Sequence, residues 1–136
     1  MNRLPTNLVT GTAGELLVQL RLFQYGVQAA PPLKDSGNDL IAVRGQSFRA
    51  VQIKTTGSDD NTWGKGKLDR EFHILALVRL RGEGNEYLLD KCDVFLYRKD
   101  ECAADGWPDI ENHRISQVVV DGLFTDPQRA NRNATA

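Results

Sequence analysis

The sequence predicts an α/β domain, and three stretches lead to that reading. Residues 7–25 space their apolar side chains as one amphipathic helix. Residues 40–56 place two short strand-like runs on either side of Gly45-Gln46, the pattern of a tight hairpin. Residues 72–80 form a long apolar run, followed by further strand-like segments. With 136 residues, 40% hydrophobic and 26% charged, the chain is expected to form one domain able to hold a core without disulfides or metal staples.

Residues 1–6 read as a short lead-in containing Pro5. In the helix that follows, Val9, Ala13, Leu16, Leu17, Leu20 and Phe23 keep three-and-four spacing, and Gly26 stands where a C-cap glycine belongs. Glu15 and Gln19 lie one turn apart, beside the Leu16, Leu20, Phe23 stripe. Two readings of Glu15 compete. In one, Thr12 and Glu15 form a capping box at the helix start. In the other, the helix begins earlier and Glu15 reaches a shared metal near the edge of the sheet.

Residues 27–30 suit a short edge strand closed by Pro31-Pro32, and a turn over residues 34–38 leads into the hairpin. Leu40 to Val43 is apolar, whereas residues 48–56 alternate, with Phe48, Ala50, Gln52 and Lys54 on one side and Val51, Ile53 and Thr55 on the other. A two-residue loop with glycine first is the II′ signal. That loop sets Arg44 opposite Ser47 and therefore Asp39 opposite Gln52, with Lys54 two residues on and on the same face. A carboxylate and an amide oxygen are hard donors that suit Mg²⁺. A lysine beside them can hold or deprotonate a water, or stabilise charge developing on phosphorus. The plainer alternative is a turn aspartate, a solvated strand glutamine and a surface lysine.

Residues 57–70 are polar and Gly-rich, the composition of a loop, with Trp63 set among Lys65, Lys67 and Arg70. Trp63 either stacks on a base or sugar while the cations meet phosphates, or pins the loop to the core. Phe72 to Leu80 reads as a strand buried on both faces. After a turn at residues 82–85, strands at 86–89 and 93–97 complete a meander. Residues 99–113 suit a short helix and a turn with Trp107-Pro108, residues 115–120 a last strand, and residues 125–136 a polar, disordered tail outside a single domain of residues 1–124.

Net charge is −1, which excludes a chain that is basic overall; any basic surface must be local or assembled by oligomerisation. Cys92 and Cys102 fit no zinc spacing and read as thiols in a reducing cytoplasm. His73 and His113 have no partners at metal spacing and read as structural or surface residues. No apolar N-terminal or membrane-length stretch occurs, so a cytoplasmic protein is expected and the sequon at Asn133 carries no meaning.

The ordered set of Gly11-Thr-Ala-Gly14-Glu15 on the first helix, Gly37-Asn-Asp39-Leu40, and Gln52-Ile-Lys54-Thr55 resembles the PD-(D/E)XK nuclease superfamily. The Gln-x-Lys variant looks most like its Mrr-type restriction and group I intron endonuclease branches, with archaeal Holliday-junction resolvases as further relatives. The likeness covers about residues 8 to 56 well and the later strands by pattern only. It implies a restriction-endonuclease-like core: a mixed sheet of about four or more strands flanked by helices, the first helix lying over the active hairpin. Asp39 would then be the principal ligand of Mg²⁺ (with Mn²⁺ able to substitute), Gln52 the second-ligand position and Glu15 a further ligand. Ile53 would offer its backbone carbonyl, Lys54 would position the attacking water, and Thr55 and Thr56 would fix the strand end or touch a phosphate. Lys34, Trp63, Lys65, Lys67 and Arg70 are the expected nucleic-acid contacts.

The departures from the pattern have chemical consequences. Gln52 is neutral, which lowers the negative charge offered to Mg²⁺. Asn38 stands where a proline is usual, and Phe72-His73 where relatives often carry an acid. Residues 57–70 replace a helix and are poor in helix formers. The expected function is Mg²⁺-dependent hydrolysis of DNA phosphodiesters leaving a 5′-phosphate, by a homodimer when both strands are cut. The competing expectation is an inactive nuclease-fold module that binds nucleic acid or joins a complex.

Overall fold

The computed structural model describes residues 6–33, 39–61, 63, 71–83, 86–102 and 106–125. Helix α1 (Thr6–Gln24) begins well before Thr12, so Glu15 lies inside it and the capping-box reading falls. Its C-terminus follows the expectation. Gly26 has φ +83°, Val27 N–H donates to Leu22 carbonyl at 3.0 Å and Gly26 N–H to Phe23 carbonyl at 3.1 Å, the paired bonds of a Schellman motif.

Strands β1 (Gln28–Ala30), β2 (Leu40–Arg44), β3 (Ser47–Thr56), β4 (Ile74–Arg79) and β7 (Asp93–Arg98) form one mixed sheet in the order β1-β2-β3-β4-β7. The β2–β3 register is the predicted one, with Arg44 paired to Ser47 and Leu40 to Val51. Gly45 has φ +61° and Gln46 keeps negative φ, as a II′ loop requires. β3 runs parallel to β4, and β4 antiparallel to β7. The expected meander is not formed. β5 (Gly82–Glu83) and β6 (Glu86–Tyr87) pair only with each other, as a short exposed hairpin outside the main sheet.

Burial on both faces of β4 is as expected for its unbroken apolar run. Ile74, Ala76 and Val78 join a core built with Leu17, Val18 and Leu22 of α1. Leu75 and Leu77 point the other way, into a second cluster with Trp63, Phe72, Phe95 and Tyr97. The predicted helix stripe is corrected here: Leu16, Leu20 and Phe23 are 59%, 48% and 67% exposed, against 3% for Leu17 and 0% for Val18. Both stripes are apolar, and close approach at Gly14 decides between them. A Cβ built there would lie 2.1 Å from Thr55 Oγ1, so only glycine lets this side of α1 sit against β3.

The last predicted strand is instead helix α2 (Gln117–Phe124). Ser116 caps it, its Oγ accepting Val119 N–H at 3.2 Å, and Val120, Leu123 and Phe124 are buried at helical spacing. A β-branched run suggested extension, but the cap and the three-and-four spacing win. Short 3-10 turns at Lys99–Glu101 and Ile110–His113 supply the helical character expected between residues 99 and 113. No helix among the described residues is long and apolar enough to cross a membrane. The tail beyond Thr125 and the lead-in up to Pro5 lie outside the described residues.

Candidate functional site

The β2–β3 ladder ends at the pair Leu40 and Val51, whereas β3 continues to Thr56 alongside β4. Beyond that last pair, the backbone edge of β3 on the β2 side has no ladder partner among the described residues. Asp39 occupies the split. Its N–H donates to Val51 carbonyl at 3.1 Å, and its Oδ2 accepts Ile53 N–H at 2.7 Å and Gln52 Nε2 at 3.0 Å. The hairpin register therefore brings Asp39 and Gln52 together as predicted, and adds a backbone anchor that fixes the carboxylate.

Glu15 reaches the same place from α1. Burial raises its pKa, and the negative charge of Asp39 raises it further, so the two carboxyl groups act on one another electrostatically. A cleft of about 410 Å³ runs between them, lined by Thr10, Gly11, Glu15, Asp39, Ile53 and Thr55. Lys54 alternates with Ile53 and shares the face of Gln52; burial lowers the pKa of its amine. Gln52 and Lys54 thus flank the open strand edge from one side of the sheet and Glu15 from the other, and neither Gln52 nor Lys54 is part of the cleft lining.

The donor chemistry suits a hard divalent cation. The negative charge of Asp39 raises the Glu15 pKa, and a cation between the two carboxylates relieves that repulsion. Gln52 Oε1 is buried and has no hydrogen-bond partner among the described residues, an uncompensated oxygen. Among the described residues no three His, Cys, Asp or Glu side chains gather at one point. Two carboxylates with neutral oxygens beside them is what Mg²⁺ takes when it retains several waters. In the arrangement described, Gln52 turns its Nε2 to Asp39 and acts as the donor that orients that carboxylate.

A solved structure shares this architecture. The chain has the fold of a bacterial homing endonuclease. The structure of that enzyme, I-Ssp6803I, superposes with a TM-score of 0.60 over 98% of this chain and 100% of its own, at 13% sequence identity. No family model and no curated protein matches the sequence.

The remaining predicted contacts divide. Thr55 lines the cleft, and Thr56 Oγ1 accepts Ser58 N–H at 3.1 Å to turn the chain after β3. Trp63 is turned inward: it is 5% exposed, donates Nε1–H to Val78 carbonyl at 3.0 Å and meets Phe95 edge-on. These contacts fix Trp63 to the core. Arg79, which carried no signal in the sequence, assists from inside: it is 6% exposed, lies 5.1 Å from the Trp63 ring and donates Nε–H to Ser58 carbonyl at 3.1 Å. Lys34, Lys65, Lys67 and Arg70 lie outside the described residues. Thr10 was also missed, although it neighbours Gly11, one helical turn before Glu15, and becomes visible once α1 is known to start ahead of Thr12.

Proposed function

We propose that this chain is a divalent-metal-dependent endonuclease that hydrolyses DNA phosphodiester bonds and leaves a 5′-phosphate. The observation that carries the proposal is the pair of carboxyls, Asp39 and Glu15, facing one cleft at the open edge of β3, with the orphaned Gln52 oxygen and Lys54 beside it. The fold shared with a homing endonuclease supports it, since that protein is named for cutting nucleic acid.

Asp39, Glu15 and the Ile53 carbonyl would hold Mg²⁺ or Mn²⁺, with Gln52 either completing the set through Oε1 or orienting Asp39 through Nε2. When bound, the ion supplies charge neutralisation at the scissile phosphate and a more acidic water. Ile53 N–H fixes Asp39 so that its carboxylate needs no reorganisation when substrate arrives. Lys54, with its lowered pKa, is suited to orient the attacking water and take a share of its proton. Thr55, on the cleft wall, can hydrogen-bond a phosphate oxygen. A chain of this size spans about one half-site, so cutting both strands calls for a homodimer. With both cysteines free, the reducing cytoplasm is the expected setting.

The hydrogen bond from Gln52 to Asp39 favours a second reading, a nuclease-fold module that binds DNA without cutting it. Plasmid nicking separates the two. The endonuclease nicks in Mg²⁺, stops in EDTA and is lost in Asp39→Ala; the binding module nicks under no condition and binds DNA equally well with and without Asp39.

A further inference from the structure

A second cavity, of about 330 Å³, opens where the start of β4 meets the end of β7. Arg49, Phe72, His73, Arg98, Lys99 and Asp100 form most of its wall, and the end of α2 closes one side. Three permanent cations and an imidazole stand there with a single carboxylate, in a chain whose net charge is −1.

The cations are held in place. Arg49 Nε–H donates to Leu123 carbonyl at 3.1 Å and Arg98 Nη2–H to Gly122 carbonyl, covering oxygens that the end of α2 leaves without helical partners. Each guanidinium carries five donors, and these bonds use only part of them. The Lys99 ammonium lies 5.1 Å from the centre of the Phe72 ring. His73 Nδ1 accepts Ala50 N–H at 2.9 Å, so the ring proton sits on Nε2 as a further donor. The cavity is thus built from oriented donors and positive charge, the chemistry that recognises an anion with several oxygens.

We propose that this cavity binds a phosphate group. On the endonuclease reading, on which this part rests, the group is a backbone phosphate of the DNA. Val51, between Arg49 and Ile53 on the same face of β3, is fully buried in the core, so the cavity and the cleft are separate openings and a phosphate held here lies apart from the scissile one. Such a contact sets the register of the DNA and reads no sequence.

The test uses the full chain in EDTA, so that binding is read without cleavage. Fluorescence anisotropy of a labelled duplex is followed across a series of KCl concentrations for wild type, Lys99→Ala and Arg98→Gln; Lys99→Ala leaves the α2 carbonyls covered, which guards against loss of fold. Each substitution is expected to weaken binding and to reduce the slope of log affinity against log salt by about one. Equal affinity and slope in all three proteins overturn the site as a DNA contact. In a second arm, inorganic phosphate and a nucleoside monophosphate are titrated while the His73 ring resonances are followed by NMR. Shifts seen in wild type and lost in Lys99→Ala, with no duplex binding, keep the phosphate site and refute the DNA reading. No response of either kind overturns the proposal, while nicking lost in Asp39→Ala would leave the endonuclease standing.

Discussion

Replacing Gly14 with alanine tests whether close packing of α1 on β3 sets the depth of Glu15. The new Cβ would lie 2.1 Å from Thr55 Oγ1 and 3.1 Å from its Cβ and Cγ2. Unstrained carbon contacts lie near 3.5–4.0 Å, so about 1.4 Å must be found by moving the helix or turning Thr55. Turning Thr55 relieves the Oγ1 contact and leaves the one to Cβ. Overpacking of this kind costs about 1–3 kcal/mol. Removing a mid-helix glycine returns about 1 kcal/mol, so Gly14→Ala should fold with a net loss of about 0–2 kcal/mol. Catalysis should suffer far more, because a displacement near 1 Å at a reacting centre costs about 100-fold. Thermal unfolding and initial rates of duplex cleavage read the two effects separately. Adding Thr55→Ala removes Oγ1 and Cγ2 and should recover most of the lost stability. A Gly14→Ala protein with wild-type rate would refute the idea that this contact sets Glu15, as would a double variant no more stable than the single one.

Lys54→Met should lower cleavage by about 100-fold or more and leave duplex affinity in EDTA nearly unchanged. Because burial lowers the Lys54 pKa, its neutral fraction grows at lower pH than for an ordinary lysine; cleavage should climb with pH above neutrality, and the climb should be missing in Lys54→Met. Glu15 has a raised pKa in the fold, so its stabilising contribution is complete below the unfolded value and is lost as pH rises through the folded one. Without metal, Glu15→Gln should therefore be at least as stable as wild type at pH 7 by thermal unfolding, and Mg²⁺ should raise the midpoint of wild type more than that of the variant. Gln52→Glu loses the donor to Asp39 and adds a third carboxylate, so it should be less stable in EDTA and need less Mg²⁺ for half-maximal cleavage. Trp63→Ala should cost about 3–5 kcal/mol, whereas Trp63→Leu, which fills part of the site without an aromatic face, should leave DNA affinity of the folded protein unchanged; reduced affinity in that variant would restore a stacking role.

What was legible in the sequence was local. A two-residue loop with glycine first admits one register, so the approach of Asp39 to Gln52 followed from Gly45 alone. The end of α1 at Gly26 was equally local. The buried side of α1 was not, because Leu16, Leu20 and Phe23 are as apolar as Leu17, Val18 and Leu22; the decision rests with Thr55, forty-one residues beyond Gly14 in the chain. Residues 82–87 have strand composition, and whether they join the main sheet depends on tertiary contacts that alternation does not encode. Three consecutive valines masked the Ser116 cap of α2. Nor could composition show that Arg79 would be buried against Trp63, since its partners come from the loop after β3 and from Asp93 on the last strand of the sheet.

The most direct test of the central proposal incubates the purified chain with end-labelled linear duplex and four-way-junction DNA in Mg²⁺, Mn²⁺ or EDTA, beside Asp39→Ala and Lys54→Ala. The account predicts cutting in either metal, none in EDTA, products with a 5′-phosphate, and loss of cutting in both variants. No cutting of either substrate, with both variants binding DNA as tightly as wild type, would contradict it.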